Sequence, residues 1–549
     1  EPRPTAIIPS HPPTPTTNII SQPKNLPIRK PTATELPFES NNRTPVLANE
    51  EKGGTLNLAS QIPYDSLDPH KEPSLSFSSW GPGVAYNRLL RFQAGDDITL
   101  PSRSTECDLC SKWIMKDDQT FIFHIRDGVR WHTNTKYEDL GTVDSYDVKA
   151  SLERQRSKEL PNSHILHMIK DIRVVTKSIL EISLINADAD FLSAIADGRS
   201  KVISAAVLRD STPLDDGPVI GSGPWSLSKY THQTLSVMIN NSQNTDDPDR
   251  QALLESLRFH TIPDSKTRHA AYKVALLDIH QLSLSDMDLP SDEYNPGNFL
   301  LYPESGIGLE ISFNTRKTPF DNQEVRRAAM ASLNPDIIIR DAWKGRAFFS
   351  SGFPLSAPTW IQDRESWLPY FDKADNTLES LKTTELVLPI NVRIKSSDFG
   401  EEYVESVKII KQQLSQGGFK PVVNFLSRKE YAEDAWIAGN YQIMVGPTIP
   451  QTSPNGYLLG VLHSRGGWNT NGHKNDELDR LLEQQAIEYD VAKRRRLIKQ
   501  IQTSILENGY RFMPATKISL WTWQSNVRNF NPNFSRGEYG FWDKVWTAR

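Results

Sequence analysis

Residues 390–445 read INVRIKSSDFGEEYVESVKIIKQQLSQGGFKPVVNFLSRKEYAEDAWIAGNYQIMV. Apolar residues alternate with polar ones at its start and then recur at helical spacing, which is typical of a strand followed by a helix. The pattern repeats, so the predicted order is strand, helix, strand, helix, strand over 390–394, 404–414, 422–425, 429–438 and 441–445. This order predicts an α/β domain whose parallel strands are joined by right-handed crossovers.

The rest of the chain is long and nearly balanced in charge. It has 549 residues, with 62 Lys and Arg against 67 Asp and Glu, a formal net charge of −5. Its length is enough for several domains, and the balance argues against a dedicated nucleic-acid binder, which would carry a basic stripe. No apolar run approaches the roughly 18 residues of a membrane helix. Two cysteines are too few for a disulfide framework.

The first 50 residues have a different composition. They hold eleven of the 37 prolines, with Thr, Ser and Asn between them and no sustained periodicity. Such a segment buries too little apolar surface to offset its ordering entropy, so we expect a disordered tether over 1–50, or simply a tolerated floppy terminus. We find no initiator Met, basic region or apolar region of a signal peptide, and expect that any secretory signal was removed.

A second alternating stretch lies nearer the N-terminus. Residues 120–126 alternate, and Asp127 and Gly128 then provide a turn signal. Residues 129–131 are therefore predicted to return as the second strand of a hairpin.

Two short motifs contain residue types that can act in catalysis or metal binding, so their alternative interpretations are compared. Cys107 and Cys110 form a C-x-x-C, with three competing interpretations: a short-loop disulfide, a redox pair or half of a zinc site. Zinc needs four ligands and no second pair exists, so we predict no metal site. A redox motif should open a helix, whereas this one precedes Trp113 in a predicted loop, so a local disulfide or two inert thiols is favoured.

The other motif is an S-x-x-K formed by Ser226 and Lys229. It lacks the S-D-N and K-T-G partners of the enzymes that use it, and no Walker A or G-x-S-x-G sequence occurs. We therefore predict that the protein is not an enzyme and needs no cofactor. The alternative is an extracytoplasmic hydrolase or redox enzyme that uses Ser226 and Lys229 or the two cysteines.

Six short blocks follow one another in a fixed order along the chain. They are Gly53–Leu56 with Ser66–His70, Phe121–His132, Asp144–Arg154, Ile220–Trp225, Ile311–Asn314 with Pro319–Ala328, and Asn475–Asp479 with Ala492–Arg494. In this order they resemble the family 5 extracellular solute-binding proteins of ABC importers, the class that includes oligopeptide-, dipeptide- and nickel-binding proteins. The resemblance runs from about residue 51 to 530.

The resemblance implies a two-lobe, periplasmic-binding-protein-like α/β fold of class II, in its large form, with mixed sheets flanked by helices. By analogy, the expected parts are a discontinuous lobe 1 over 51–95, 216–300 and 510–549, an inserted subdomain over 96–215 and lobe 2 over 301–509. The independently predicted strands and helices of 390–445 fall within lobe 2.

The resemblance also implies a function. The protein would be the substrate-binding receptor of an ABC importer, which captures a peptide-like or other small organic solute between its lobes and delivers it to a membrane permease. Its place would be extracytoplasmic, in the periplasm or at the outer face of the cytoplasmic membrane, held there by the N-terminal tether or an anchor. We expect a monomer, with the solute and the permease as partners and no nucleic acid.

Ligand contacts in such a cleft would come from aromatic and polar side chains in loops. Each candidate taken alone is equally compatible with packing in a core. The candidates are Tyr64, Trp80, Tyr86, Trp436, Tyr441, Trp468, Asn469 and Trp521.

One segment departs from the family pattern. In the family's peptide binders, the strand that corresponds to 441–446 is followed by a Trp and then an Asp, which pairs with the peptide α-amino group. Here Pro447 and Pro450 stand in that region, and residues 446–455 contain no acid. A buried ammonium without a carboxylate is costly. The sequence therefore leaves three kinds of ligand open: an uncharged solute, a sugar-like solute, or a peptide held in another way.

Overall fold

The computed structural model of the chain describes residues 53–94, 98, 103–210, 213–241, 251–282, 299–349, 360, 362–371, 381–382, 386–448, 454–533 and 537–548. The tether predicted over 1–50 lies outside these ranges. The described chain divides into two compact units. We call residues 303–518 the central unit, and residues 53–302 with 519–548 the terminal unit.

The strands are, in chain order, β1 Thr55–Ser60, β2 Leu90–Phe92, β3 Thr105–Cys107, β4 Cys110–Asp117, β5 Thr120–Ile125, β6 Ile169–Thr176, β7 Ile179–Leu184, β8 Trp225–Thr231, β9 Leu235–Asn240, β10 Ser256–Thr261, β11 Ile279–Leu282, β12 Phe299–Phe313, β13 Ala347–Phe348, β14 Ile390–Ser397, β15 Phe419–Leu426, β16 Ile443–Pro447, β17 Arg511–Trp523, β18 Val527–Arg528 and β19 Trp546–Thr547.

The α-helices are α1 Leu75–Ser78, α2 Ser145–Gln155, α3 Phe191–Ile195, α4 Ala205–Arg209, α5 Ser265–Lys273, α6 Gln323–Ala331, α7 Pro335–Ile337, α8 Arg364–Trp367, α9 Glu401–Gln416, α10 Arg428–Glu430, α11 Pro454–Tyr457, α12 Asp476–Ala486 and α13 Val491–Asn508. Three of them, α7, α10 and α11, continue as π-helical turns, at Ile338–Ala342, Tyr431–Ile437 and Leu458–Leu462. Short 3₁₀ helices lie at Pro82–Ala85, Ser163–Leu166, Leu368–Tyr370 and Gly540–Asp543. Within the described ranges, no helix is both long enough and apolar enough to span a membrane.

The terminal unit contains two four-stranded sheets, ordered β1-β10-β9-β8 and β4-β5-β7-β6. Strand β1 pairs in parallel with β10 from Thr55 opposite Ser256, and the remaining pairs of the first sheet are antiparallel. Leu56 and Leu58 point to one face of β1 and are fully buried in the core of this unit. Period-two alternation thus produces a strand with a single buried face.

The predicted hairpin over 120–131 is wrong. Strand β5 pairs with β4 and β7, whereas Arg130 makes only an isolated bridge with Thr142. The buried His132 explains the departure, because it holds the chain against the Gly221–Gly223 turn. Its backbone N–H donates to the Gly221 carbonyl at 2.8 Å, and its Nε2 lies 2.8 Å from the Gly223 carbonyl. Tertiary hydrogen bonds therefore outweigh the local turn signal.

The C-terminal segment of the terminal unit is fixed by a buried ion pair. Both terminal nitrogens of Arg88 donate to the Glu538 carboxylate, at 3.0 and 2.8 Å, and the guanidinium also lies 4.1 Å from the centre of the Tyr539 ring. Glu538 accepts a further bond from the Phe92 backbone N–H. A buried pair that is satisfied in this way specifies its position strongly, since removal of one partner leaves an uncompensated charge.

The predicted α/β order of 390–445 is confirmed in the central unit. Strand β14 pairs in parallel with β15, from Ile390 opposite Phe419, and in parallel with β16. Helix α9 is the crossover between β14 and β15, and the helical turn from Arg428 to Ile437 leads into β16. Apolar side chains of these strands and of α9 share one core, among them Ile390, Val392, Ile394, Val407, Ile410 and Val445.

The chain passes between the two units on two strands. One passage is at residues 302 and 303, within β12, and the other is at residues 518 and 519, within β17. These two strands are neighbours in a seven-stranded sheet of order β11-β17-β12-β16-β14-β15, in which β13 pairs with β17.

A second core of the central unit lies between α12, α13 and the turn that follows α11. Helix α13 begins at Asp490, whose side chain accepts from the Lys493 N–H, and ends at Gly509 with φ +61°. A side chain at position 509 would be strained at that φ and would press against Arg326. Local caps therefore fix where this helix begins and ends.

We predict that Ile501→Ala destabilises the central unit by about 2–5 kcal/mol, because Ile501 is fully buried in this core and a cavity would remain. The control is Gln500→Ala on the exposed side of the same helix, which should change stability by less than about 0.5 kcal/mol. Urea denaturation monitored by circular dichroism measures both. Equal effects of the two changes would contradict the packing described for α13.

A second prediction concerns acid stability. Burial lowers the pKa of His132 from 6.5 to about 4, so the unfolded chain binds the proton more readily between these values. The contribution of neutral His132 to the free energy of unfolding is therefore complete above pH 6.5. It is lost as the pH falls towards 4, which lowers the free energy of unfolding by up to about 3 kcal/mol. His132→Gln should make the fall in stability over this window shallower. Burial also lowers the pKa of His70 to about 4, so His70 should still cause part of the fall in stability in this variant.

The measurement is the urea midpoint at several pH values from 7.5 to 4. His167→Gln serves as the control because His167 is exposed. An unchanged pH dependence in the His132 variant would show that this histidine is not buried in its neutral form.

Candidate functional site

The face of the central sheet that points away from its main core carries charge. In β12, Leu309, Ile311 and Phe313 enter the main core, so the alternate residues Glu310 and Ser312 lie on the other face. In β17, Phe512 enters that core and the preceding residue, Arg511, lies on the other face. Strand alternation therefore brings an acid and a base to the same side of two neighbouring strands.

Glu310 and Arg511 form an ion pair in the interior. Arg511 Nη1 lies 3.1 Å from Glu310 Oε1, and both side chains are at most 1% exposed. Arg511 Nη2 also donates to Ser312 Oγ at 3.2 Å. Two strands thus supply an ion pair and a hydroxyl that holds the guanidinium in place.

Three tyrosines surround this pair. Tyr441 Oη lies 3.1 Å from Ser312 Oγ and 3.3 Å from Thr470 Oγ1. Tyr431 and Tyr457 are fully buried, and both interact electrostatically with Glu310 and Arg511. We call the group the polar cluster; its members are Glu310, Ser312, Tyr431, Tyr441, Tyr457 and Arg511.

The turn that carries Tyr431 is locally specified. Ser427 and Glu430 form a reciprocal capping box at the start of α10, which starts the helical turn at a fixed place. Tyr431 then packs against Gly446 of β16, where the Cβ atom of any larger residue would stand only 2.4 Å from the tyrosine Oη. Only glycine at 446 leaves room for this hydroxyl beside β16.

Several buried polar atoms of the polar cluster have no hydrogen-bond partner among the described residues. Both carboxylate oxygens of Glu310 lack a correctly oriented donor, although the charge of Arg511 is close. Arg511 Nε and Nη1 and the Tyr431 hydroxyl are also without one. Because buried polar groups are nearly always satisfied, a group of such atoms in one place is a feature to be explained.

Burial dominates the titration of the polar cluster. It raises the pKa of Glu310, an effect that Arg511 partly opposes. Burial also opposes ionisation of Arg511, but Glu310 and the facing tyrosines outweigh it and raise the pKa of Arg511. The pKa of Tyr431 lies well above 10, because of burial and then because of Glu310. Strongly perturbed groups that cluster in this way are frequent at functional sites.

Two of the predicted ligand residues lie at or beside this cluster. Tyr441 belongs to it, and Trp436 packs 5.6 Å from Tyr431, ring centre to ring centre. The Trp436 Nε1 atom is buried and also has no partner among the described residues.

Two others are brought together in the terminal unit. The ring centres of Trp80 and Trp521 are 4.9 Å apart with the rings nearly parallel, and Trp80 meets Trp542 edge to face at 5.1 Å. Trp80 is partly exposed and Trp521 is buried. The pair forms an aromatic surface with one partly accessible indole.

The remaining predicted residues support local structure. Tyr64 and Tyr86 are buried in the core of the terminal unit, where the Tyr64 hydroxyl bonds to Ser236. Trp468 packs against the core formed by α12 and α13. The Asn469 amide donates to the carbonyls of His463 and His473 and so shapes the loop that leads to α12.

The structure shows where the C-x-x-C and S-x-x-K motifs lie. Cys107 and Cys110 are joined by a disulfide, with Asp108 between them bonded to the Arg88 backbone N–H. Ser226 and Lys229 lie on β8, with Lys229 exposed. Among the described residues, no group of three or more His, Cys, Asp or Glu side chains could hold a metal ion.

Glu310 and Arg511 were missed from sequence. A usable signal exists for Glu310, because an acid stands directly between the apolar residues Leu309 and Ile311. Arg511 lies 201 positions away, and no local pattern connects the two residues.

Comparison with known proteins gives consistent results. The sequence model described as "Bacterial extracellular solute-binding proteins, family 5 Middle" matches residues 105–470. The chain is 25% identical to the dipeptide-binding protein of Escherichia coli K12 over 285 residues, which are 47% of this chain and 50% of that protein. It is 28% identical to heme-binding protein A of Haemophilus influenzae over 302 residues, 51% of this chain and 53% of that protein.

The two alignments therefore span about half the length of each relative. Among solved structures, HbpA2 from Haemophilus parasuis superposes with a TM-score of 0.77 at 20% identity, covering 90% of this chain and all of that one. This likeness gives the fold: a periplasmic-binding-protein-type α/β architecture with mixed sheets and flanking helices.

We predict opposite effects for two tyrosine changes in the polar cluster. Tyr431→Phe removes a buried hydroxyl without a partner, so stability should be unchanged or rise by up to about 1 kcal/mol. Tyr441→Phe removes contacts to Ser312 and Thr470, so stability should fall by about 1–2 kcal/mol. Urea denaturation of protein refolded free of solute measures both, and a larger loss for Tyr431→Phe would contradict the contacts described.

Proposed function

The chain belongs to the bacterial extracellular solute-binding proteins of family 5, and we propose that it is the substrate-binding receptor of an ABC importer. It captures a small organic solute and delivers it to a membrane permease without altering it. The observation that carries the proposal is the unbroken family match over residues 105–470, which takes in parts of both units. Its place of action is outside the cytoplasm, and we propose that the N-terminal 50 residues tether it near the membrane as a monomer.

The polar cluster supports this proposal. Buried polar atoms without partners provide hydrogen bonds that a solute can complete, and a receptor obtains its affinity from few such contacts in a desolvated place. A micromolar dissociation constant corresponds to about −8 kcal/mol, which is within reach of a charged contact and a few aromatic ones. Within the central unit, we include Tyr441, a member of the cluster, and Trp436, which lies beside it, as ligand contacts. Trp80 of the terminal unit stays a separate prediction.

Two solute classes are suggested by the relatives. One relative is named for dipeptides and the other for heme. The polar cluster favours a peptide-like or other polar solute, because its charged pair and hydroxyls offer hydrogen bonds to such a molecule. The predicted segments 51–95, 96–215, 216–300, 301–509 and 510–549 are proposed as the family's lobes and inserted subdomain.

We predict that purified full-length protein responds to at least one member of a library of dipeptides, tripeptides, heme and sugars. Ligand at 100 times its dissociation constant should stabilise the fold by about 2.7 kcal/mol, seen as a rise in melting temperature. Tryptophan fluorescence provides a second signal, since the chain has 13 tryptophans. A folded sample that responds to no member would refute the receptor proposal.

The control separates a receptor from an enzyme. A variant with Ser226→Ala, Cys107→Ser and Cys110→Ser should keep the affinity of the unchanged protein, and mass spectrometry should recover the bound compound intact. Conversion of the compound by the unchanged protein, abolished in this variant, would favour the hydrolase or redox alternative.

A further inference from the structure

The turn between α5 and β11 exposes two large aliphatic side chains. Val274 and Leu276 are each 67% exposed, whereas Leu277, the next residue, is buried. Single exposed aliphatic residues are common on protein surfaces, but two of them at one turn form a small apolar patch. We call residues 273–276 the tip.

Hydrogen bonds hold the tip in one conformation. The backbone N–H of Ala275 donates to the Tyr272 carbonyl at 3.0 Å. The N–H of Leu276 donates to the Ala271 carbonyl at 2.9 Å, which completes the bonding pattern of a Schellman helix end. Gln524 Nε2 also donates to the Tyr272 carbonyl at 2.9 Å. The two exposed aliphatic side chains therefore belong to an ordered turn.

The residues of the tip depart from what such a helix end favours. Ala275 has a φ of +56°, in the left-handed region where glycine is the usual residue, so its side chain costs free energy there. The residue that follows usually packs against the last turn of the helix, whereas Leu276 stays exposed. Stability of the fold favours neither residue, and unfavourable local geometry of this kind is a reason to look for a function.

The exposed side of α5 next to the tip is basic. Lys266, Ala270 and Lys273 recur at helical spacing and are exposed. Arg268 and Tyr272 lie on the buried side of the same helix. Two lysines and the apolar tip thus share one surface of α5.

The acids at the two ends of this segment are engaged with backbone groups. Asp264 caps the start of α5 by accepting from the Thr267 N–H at 2.8 Å. Asp278 accepts from the Asn57 N–H at 2.6 Å. Between them, residues 265–277 contain no acid. The charge of the segment is therefore complementary to an anionic surface.

The tip belongs to the part of the terminal unit that the N-terminal segment joins. Gly53 donates its N–H to the Leu253 carbonyl, and β1 starts two residues later. Asn57 of β1 bonds to Asp278 through both its backbone N–H and its side-chain amide. Asp278 follows Leu276 by two positions, and four residues of strand span only about 13 Å. A membrane tether over 1–50 would therefore attach close to the tip.

We propose that the tip binds an anionic phospholipid surface. The two aliphatic side chains enter the headgroup region, and the two lysines of α5 bind the lipid phosphates. A single weak attachment gives only marginal, reversible membrane binding, so the tip adds the second attachment that the proposed tether needs. This contact goes beyond the proposed function and does not depend on which solute is bound.

Vesicle sedimentation tests the proposal on the full-length protein. The vesicles are either pure phosphatidylcholine or an equal mixture of phosphatidylcholine and phosphatidylglycerol. The unchanged protein is compared with three variants: Val274→Ser with Leu276→Ser, Lys266→Gln with Lys273→Gln, and Val422→Ser with Ile487→Ser. The last variant is the control, because it removes two exposed aliphatic side chains from the central unit. Every variant keeps residues 1–50, so lipid binding by that segment is common to all.

We expect the unchanged protein to bind the anionic vesicles about tenfold more tightly than the neutral ones. The aliphatic variant should lose about tenfold in affinity for the anionic vesicles, because its tip removes less apolar surface from water. The lysine variant should bind the two kinds of vesicle within about threefold of each other. The control should stay within about twofold of the unchanged protein.

A further variant, Leu276→Trp, gives a result that misfolding cannot imitate. An indole ring favours the membrane interface, so this change should strengthen binding to the anionic vesicles by about threefold. Its melting temperature should match that of the unchanged protein, because the side chain at 276 is exposed.

Three results of the vesicle experiment would overturn the inference: no binding by the unchanged protein, equal losses in the aliphatic variant and the control, or an undiminished preference for anionic vesicles in the lysine variant. A dimer in analytical ultracentrifugation that the aliphatic variant abolishes would assign the tip to a second copy of the chain and would also overturn it. A response to solutes without vesicle binding would refute this inference and leave the receptor proposal standing. Vesicle binding through the tip without a response to any solute would support this inference and refute the receptor proposal.

Discussion

The ion pair between Glu310 and Arg511 joins the two strands on which the chain passes between its units. Strands β12 and β17 are neighbours in the central sheet, and the pair lies on the face turned away from the main core. Two charges in the interior are tolerated only when each is compensated, so the register of these strands and the places of Ser312 and Tyr441 are constrained together. Stability alone gives little reason for the pair, because apolar residues of similar volume often stabilise a core as well.

The pair is also incompletely satisfied. Among the described residues, buried polar atoms of Glu310, Arg511 and Tyr431 lack hydrogen-bond partners, which costs free energy in the folded chain. The cluster lies beside Gly446, whose missing side chain admits the Tyr431 hydroxyl. Because Gly446 stands opposite Glu310 in the strand register, the acid on one strand and the glycine on the next shape the same cluster.

The terminal unit uses a buried pair differently. Arg88 and Glu538 bond to each other twice, Glu538 also accepts from the Phe92 N–H, and the guanidinium faces the Tyr539 ring. Arg88 Nε has no hydrogen-bond partner among the described residues. This pair fastens the C-terminal segment beside residues that lie about 450 positions earlier. Both carboxylate oxygens of Glu538 are thus bonded, whereas neither carboxylate oxygen of Glu310 has a correctly oriented donor among the described residues.

The sequence by itself determined the α/β order of 390–445, the family and the absence of an acid over 446–455, because alternation, helical spacing and ordered short blocks are local signals. It predicted Tyr441 and Trp436 as ligand candidates, and they lie at or beside the polar cluster. Local signals failed where long-range bonds dominate: His132 carries residues 129–131 away from the predicted hairpin. Only the tertiary structure decided that Glu310 faces Arg511, since their contact depends on the pairing of strands whose positions are 201 residues apart.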